Sequence, residues 1–344
     1  MSSWHAFLIG RGAIPTAAGT PHFGAPDAEL AAARDGTIVA DLSHNALLGV
    51  AGDDAAKFLQ GQLTNDVDSL LEGAAQWNGW CSPKGRLLAT FLLWRRGAGD
   101  YLLMLPAEIA APIAKKLSMY VLRSKVKIAD VSADMVRIGF AGKGAAVIVA
   151  REWGHTPEPM RAVEKDGAAC IALDRDRFVV LAPNDAAPAL WDRLAQNATP
   201  AGSDAWEWKA IHAGIPTVVA ATQDAFVPQM ANFELVGGVS FRKGCYTGQE
   251  IVARTQYRGI LKKRMALVHV DGPDRPAPGE DVYGDTFGEQ SAGTIVSAAP
   301  APGGGFDALV VAQIEDLTKG RLRWKSPTGA PLEIRSSPVA PGAA

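Results

Sequence analysis

At 344 residues, with 48% hydrophobic and 20% charged side chains, the chain reads as a globular protein too long for one ordinary core. Two or three domains are therefore expected. A formal net charge of −2 argues against a surface built to coat nucleic acid and leaves room only for a local basic patch. Cys81, Cys170 and Cys245 lie far apart and form neither a disulfide framework nor a CxxC knuckle, which points to a reducing, cytoplasmic setting. The opening stretch lacks the basic and apolar regions of a secretory signal. No apolar run reaches the length of about 18 residues needed for a span, so no membrane partner is expected.

In chain order, residues 1–27 read as an irregular lead-in after one short apolar strand. GTIVADLS and His44 to Val50 follow as strands, and DDAAKFLQGQL (53–63) as a helix with Phe58, Leu59 and Leu63 on one face. A turn at SPKGR launches the apolar strand LLATFLLWRR, and GAGD returns it as YLLMLP, an antiparallel hairpin. Ala107 to Tyr120 is a helix in which Ile109, Ile113 and Leu117 recur every four residues. VKIADVS and MVRIGFAG are strands, Gly142 to Trp153 a short helix, CIALDRDRFVVLAP a second hairpin and Asp185 to Asn197 another helix. AWEWKAIHAG is a helix stopped by Gly214 and Pro216, and residues 217–240 are extended and loop-rich. Strands and helices alternate without a regular βαβ count, which favours an α+β fold. Short strands between Gly/Pro turns from about residue 260 to 336 predict a separate small β-barrel or sandwich. Pro338 to Ala344 reads as a frayed tail.

Several common chemistries are absent. There is no GxSxG, HExxH, Walker A or dinucleotide-binding glycine pattern, and the six histidines lack metal-site spacing. The stretch RKGCYTGQEIVARTQYR (242–258) holds the strongest candidate. Gly244 and Gly248 permit a tight loop around Cys245 and Tyr246, and a cysteine beside Lys243 near a helix start has the setting of a lowered thiol pKa. Spacing alone supports a buried structural cysteine equally well. Lys84, Gly85 and Arg86 form either an anion-binding turn or a solvated one. Arg242, Lys243, Arg254 and Arg258, with Lys262, Lys263 and Arg264 nearby, form either a positive patch or a solvated face. Gln229, Asn232 and Glu234 offer the donors and acceptors that a flat heterocycle uses, or else satisfy their own loop.

At KGCYTGQE (243–250) the chain resembles the YgfZ family, folate-binding relatives of the glycine-cleavage aminomethyltransferase whose mitochondrial members assist maturation of 4Fe–4S proteins. The resemblance extends through DLSHNALLGVAGDDAAKFLQGQLTNDV, WCSPKGRLLATFLL, IHAGIP and FVPQMANFELVGGVSFRKGCYTGQEIVARTQYRG, and so covers roughly residues 30–335. It implies a three-part ring, with two intertwined α+β folate-binding lobes in residues 1–256, a C-terminal β-barrel in 257–336 and a flexible tail in 337–344. It also implies tetrahydrofolate or a derivative as cofactor, with Asn232, Gln229, Glu234, His212, Arg86, Tyr246, Glu250 and Arg254 as binding residues. Cys245 and Lys243 would be the reactive pair.

The departures matter too. Ala89 and Thr90 stand where the aminomethyltransferases carry acidic residues, and His212 stands where they carry the glutamate of an EAG segment. Aminomethyl transfer is therefore not expected. The leading expectation is a folate-binding accessory protein for iron–sulfur cluster assembly or repair that supports tRNA-modifying enzymes. Its partners would be iron–sulfur proteins or assembly factors, with a weak tRNA contact, and it would act as a monomer. One thiol cannot hold a stable cluster, which takes about four cysteine ligands, so no resident metal is expected. The alternatives are a tetrahydrofolate-dependent one-carbon transferase or demethylase, and a tRNA-binding or scaffolding module.

Overall fold

The structure, a computed structural model, describes residues 2–338 apart from 17, 18, 258 and 260. Arg258 of the expected basic patch and residues 339–344 of the expected tail lie outside the described residues. The chain is divided between two compact units. The first holds Met1–Ala56, Ser69–Gln76 and Leu92–Lys209, and the second Lys57–Asp68, Trp77–Phe91 and Ala210–Ala344.

The first unit contains a six-stranded sheet in the order Ala162–Lys165, Ala168–Ala172, Arg177–Pro183, Met135–Gly142, Thr37–Asp41 and Thr199–Ala201. Its central strands are apolar on both faces and pair antiparallel, with Phe140 opposite both Phe178 and Val39. Only the edge strand Thr199–Ala201 runs parallel to its neighbour. Helices Ala145–Trp153 and Ala187–Ala195 supply Val149, Leu190, Trp191 and Leu194 to one core with Ile138, Phe140 and Phe178.

The lead-in is more ordered than its Gly/Pro content predicts. Ser3–Ile9 is a helix capped by the Ser2 side chain, and Ile14–Thr16 pairs with Gly19–His22. Trp4 and Leu8, one helical turn apart, are buried in the main core, and the Trp4 indole N–H donates to Asp41 at 2.9 Å. That i, i+4 pair is what the reading of a short strand overlooked.

A five-stranded sheet follows the order Ala75–Cys81, Leu87–Gly97, Asp100–Pro106, Asn45–Ala51 and Lys127–Asp130. The predicted hairpin is in it, with Leu93 opposite Leu103. Helix Ala107–Ser118 buries Ile109, Ile113 and Leu117, the residues its four-residue spacing singled out.

The second unit carries the expected barrel. Six short strands close in the order Lys263–Val270, Phe306–Gln313, Ser291–Pro300, Asp281–Gly284, Leu322–Trp324 and Pro331–Ser336, and the last pairs back onto the first. Val268, Val282, Ile295, Val310 and Leu322 fill its interior. Closure leaves the barrel without a free sheet edge. Among the described residues no helix is long and apolar enough to cross a membrane.

Candidate functional site

Two turns that are far apart in sequence meet in the second unit. Gly248 ends the cysteine loop at φ +82, and Gly85 sits in the SPKGR turn at φ +68. A Cβ at Gly248 would fall 2.4 Å from the Ser82 carbonyl oxygen, and one at Gly85 would fall 2.7 Å from Ile251 Cβ. Backbone this close, at angles that disfavour L side chains, requires glycine at both positions. Helix Gln249–Tyr257 starts from this contact, and Phe241 meets Tyr257 edge to face at 6.3 Å. The loop is therefore held at both ends.

Beneath the loop the contacts are polar and closed. The Ser82 hydroxyl donates to Asp224 at 2.6 Å, and Arg86 donates to the carbonyls of Ala225 at 2.6 Å and Asp224 at 3.4 Å. Arg86 thus staples the turn to the 224–225 segment. Cys81 is buried, and burial, with the Asp224 carboxylate adding to it, pushes its thiol up to about 12. Tyr246 is buried as well, and its phenol is pushed well above the usual range by burial and then by Cys81. Both groups stay protonated at neutral pH.

Lys243 has a different position from the one expected. Its ammonium donates to the carbonyls of Gln60 and Leu63 at 2.7 Å and Asn65 at 2.8 Å, at the end of helix Ala55–Gln62, and lies 5.2 Å over the Tyr246 ring. These contacts employ all three of its N–H donors, so none is left to hold a Cys245 thiolate. The lysine anchors the loop instead. Burial, opposed by Asp66 and Asp68, lowers its pKa to about 8. Cys245 itself is exposed, whereas Cys81 and Cys170 are buried. The loop presents one thiol to solvent on a fixed frame.

Gln229, Asn232 and Glu234 come together around Arg264. Its guanidinium donates to the Gln229 carbonyl at 2.9 Å and to Asn232 Oδ1 at 3.3 Å, and it pairs with Glu234. Asn232, at φ +53, donates to the Met265 carbonyl, and the Gln229 amide donates to the Val252 carbonyl, both at 2.8 Å. Much of their polarity is thus spent on the protein. Two buried acceptors, Gln229 Oε1 and Glu234 Oε2, have no hydrogen-bond partner among the described residues. The expected basic run divides accordingly: Arg264 turns inward, Lys263 is partly buried with its pKa lowered by that burial, and Arg254 stays exposed. Glu250 is also exposed, on the first turn of its helix.

His212 lies at the end of helix Ser203–His212, and its Nε2 is 2.7 Å from Asp307 Oδ2. Asp307 Oδ1 lies 2.7 Å from His269 Nδ1, so one carboxylate of the barrel joins two imidazoles. Nothing in the sequence signals this pairing across 95 positions. His212 and Asn232 both line a cavity of about 310 Å³, with Leu235, Met265, Leu309 and Ser336 among the walls. Of the remaining expected residues, Ala89 is buried, and Thr90 donates to the Pro216 carbonyl at 2.9 Å while accepting from the Val218 N–H at 3.0 Å. Neither position holds a carboxylate. Among the described residues no group of three or more His, Cys, Asp or Glu is arranged to hold a metal ion.

This architecture is an aminomethyltransferase-like α+β fold with a closed C-terminal β-barrel. The glycine cleavage system aminomethyltransferase T of Bartonella henselae superposes with a TM-score of 0.74 over 98% of this chain and 97% of its own, at 17% identity. Residues 15–157 match the family model described as the GCVT N-terminal domain. Sequence relatives are more specific. The tRNA-modifying protein YgfZ of Cronobacter sakazakii is 33% identical over 312 residues, which is 89% of this chain and 93% of the relative. That of Escherichia coli is 32% identical over 295 residues, 84% of this chain and 88% of the relative. The chain belongs to the YgfZ family.

Proposed function

We propose that this protein is a folate-binding accessory factor of the cytoplasm that serves iron–sulfur cluster assembly or repair, with Cys245 as its reacting thiol. The observation that carries this reading is the exposed Cys245 on a loop held by Lys243, Gly248 and Phe241, in a chain whose other two cysteines are buried. An exposed thiol on a fixed frame can ligate iron transiently or exchange sulfur, because access and thiolate character govern both. One such thiol does not make a resident cluster site. Membership among proteins named as tRNA-modifying supports cluster-dependent tRNA-modifying enzymes as the clients.

The residues present fit a folate. His212 and Asn232 line a cavity large enough for a flat heterocycle, and their imidazole and amide can hydrogen-bond such a ring; Gln229 and Glu234 are not among its walls. Bound folate would supply one-carbon or pterin redox chemistry. The part of this chain's own residues is to orient the ring and exclude water. Ala89 and Thr90 supply no acid or base for aminomethyl transfer, which weakens the one-carbon transferase reading. The inward turn of Arg264 weakens an RNA-coating one.

The test is rescue of a 4Fe–4S tRNA-modifying enzyme in cells that lack their own YgfZ-family protein. Cys245→Ser is expected to fold normally and give no rescue. Full rescue by Cys245→Ser would reject the thiol role, and failure of the purified protein to bind 5-formyltetrahydrofolate would reject the folate role separately.

A further inference from the structure

We propose that the turn following helix Ala107–Ser118 is a peripheral docking tip for an anionic lipid surface. This belongs to the first unit and does not rest on the thiol loop or on folate binding. Within four residues, Met119, Tyr120 and Leu122 are 63%, 39% and 88% exposed. Single exposed apolar side chains are ordinary, but a contiguous group is not. Leu122 also holds φ +47. That region is unfavourable for an L-residue, and burial returns nothing to a side chain this exposed. The turn is well formed. Tyr120 N–H donates to Leu117 O at 3.0 Å, Val121 N–H to Ser118 O at 3.2 Å and Ser124 N–H to Val121 O at 2.8 Å. A defined backbone therefore holds the apolar side chains out in solvent.

The segment itself carries charge of one sign, and Asp53 and Asp54 meet it at Lys125, whose backbone N–H donates to Asp54 at 2.7 Å. From Ile113 to Ala129 the sequence carries Lys115, Lys116, Arg123, Lys125 and Lys127 and no Asp or Glu. Lys125 pairs with Asp53 at 3.2 Å between side chains that are both largely exposed, so this counter-charge is screened and modest. Residue types decide which polyanion fits. Protein interfaces are enriched in aromatics, Met and Arg, which Met119 and Tyr120 match, but they are depleted in Lys, and four of these five cations are lysines. RNA rewards stacking aromatics, and of the three exposed apolar side chains only Tyr120 offers one. An anionic bilayer suits both features, because its negative surface potential attracts lysines and apolar side chains enter the headgroup boundary. Such docking is reversible and needs no spanning helix.

The test is co-sedimentation of the full chain with vesicles of equal parts phosphatidylglycerol and phosphatidylcholine, against vesicles of phosphatidylcholine alone. Binding is expected only to the anionic vesicles and is expected to weaken as salt rises. Leu122→Asn should lower the partition coefficient about tenfold, as expected from withdrawing one leucine from an apolar phase. Asn tolerates the left-handed conformation, so the same variant should unfold at an unchanged or higher temperature. Arg123→Glu with Lys127→Glu should abolish binding. No sedimentation with anionic vesicles overturns the proposal, as does sedimentation indifferent to Leu122→Asn. Leu122-dependent binding to a single-stranded RNA or an acidic protein without vesicle binding would assign the tip to that partner and also overturn it.

Discussion

Lys243 and Arg264 are both drawn inward in the second unit, and the protein satisfies them in opposite ways. Lys243 is surrounded by three backbone carbonyls and no contacting carboxylate. Arg264 has one carbonyl, one side-chain amide oxygen and the Glu234 carboxylate, whose side chain is only 9% exposed. Three carbonyls make a geometric fastening, since they accept from a lysine whose distance and direction are right. A carboxylate makes an electrostatic one, which leaves a buried charge behind if its partner is lost. The cysteine loop hangs on the first kind, and the loop of Gln229, Asn232 and Glu234 on the second.

The largest effect should come from stranding the charge. Arg264→Ala leaves Glu234 buried and unpaired and is expected to cost about 3–5 kcal/mol by denaturant unfolding, as for other broken buried pairs. Arg264→Met combined with Glu234→Leu should recover most of that loss. Equal instability of the single and double variants would show that the charge is not the issue. Lys243→Met strands only dipoles, so a smaller cost of about 1–3 kcal/mol is expected, and a cost above that of Arg264→Ala would invert the comparison.

The Lys243 fastening also carries a pH dependence. Burial lowers Lys243 from its ordinary 10.5 to about 8. Between those values the unfolded chain holds a proton that the folded one releases, so this group's contribution to stability rises as pH increases through that window. Below about pH 8 both states are protonated and the contribution is flat. The three carbonyls favour the charged form and work against the shift. Unfolding of the wild type and of Lys243→Met, compared across this range, should show this slope in the difference between them, since the raised Cys81 thiol contributes equally to both.

The smallest stability effect is expected at the site itself. Cys245→Ser should change stability by less than about 0.5 kcal/mol, as exposed substitutions generally do. It should also remove the one thiol that reacts quickly with a disulfide reagent in the folded protein. Rapid reaction of two thiols in the native state would place Cys81 or Cys170 within reach of solvent, against their burial.

Much of this was legible before the fold was known. The barrel strands, both hairpins and the helix Ala107–Ser118 follow from local periodicity, which neighbours within a few residues determine. The glycines around Cys245 likewise announced a tight turn. What the sequence could not supply was the destination of each polar group. Lys243 reads as a partner for the adjacent thiol, yet its acceptors lie about 180 positions away. Arg264 reads as one more member of a basic run, and only its contact with Glu234 takes it out of the patch. His212 gives no hint of Asp307. Long-range hydrogen bonds leave no periodic trace, so sequence adjacency was the only available guide and it misled at Lys243.

The meeting of Gly85 and Gly248 has a bearing on how this loop can change. Neither residue has a side chain to react, yet each stands where a methyl group would collide with the opposite turn. The two turns are consequently a single unit of inheritance, because neither can drift alone without displacing the other. In a saturation library scored for thiol reactivity, these two positions should tolerate as little as Cys245 itself. Neighbours that merely flank the sulfur in sequence, such as Gly244, whose Cβ would meet open space, should accept substitution freely.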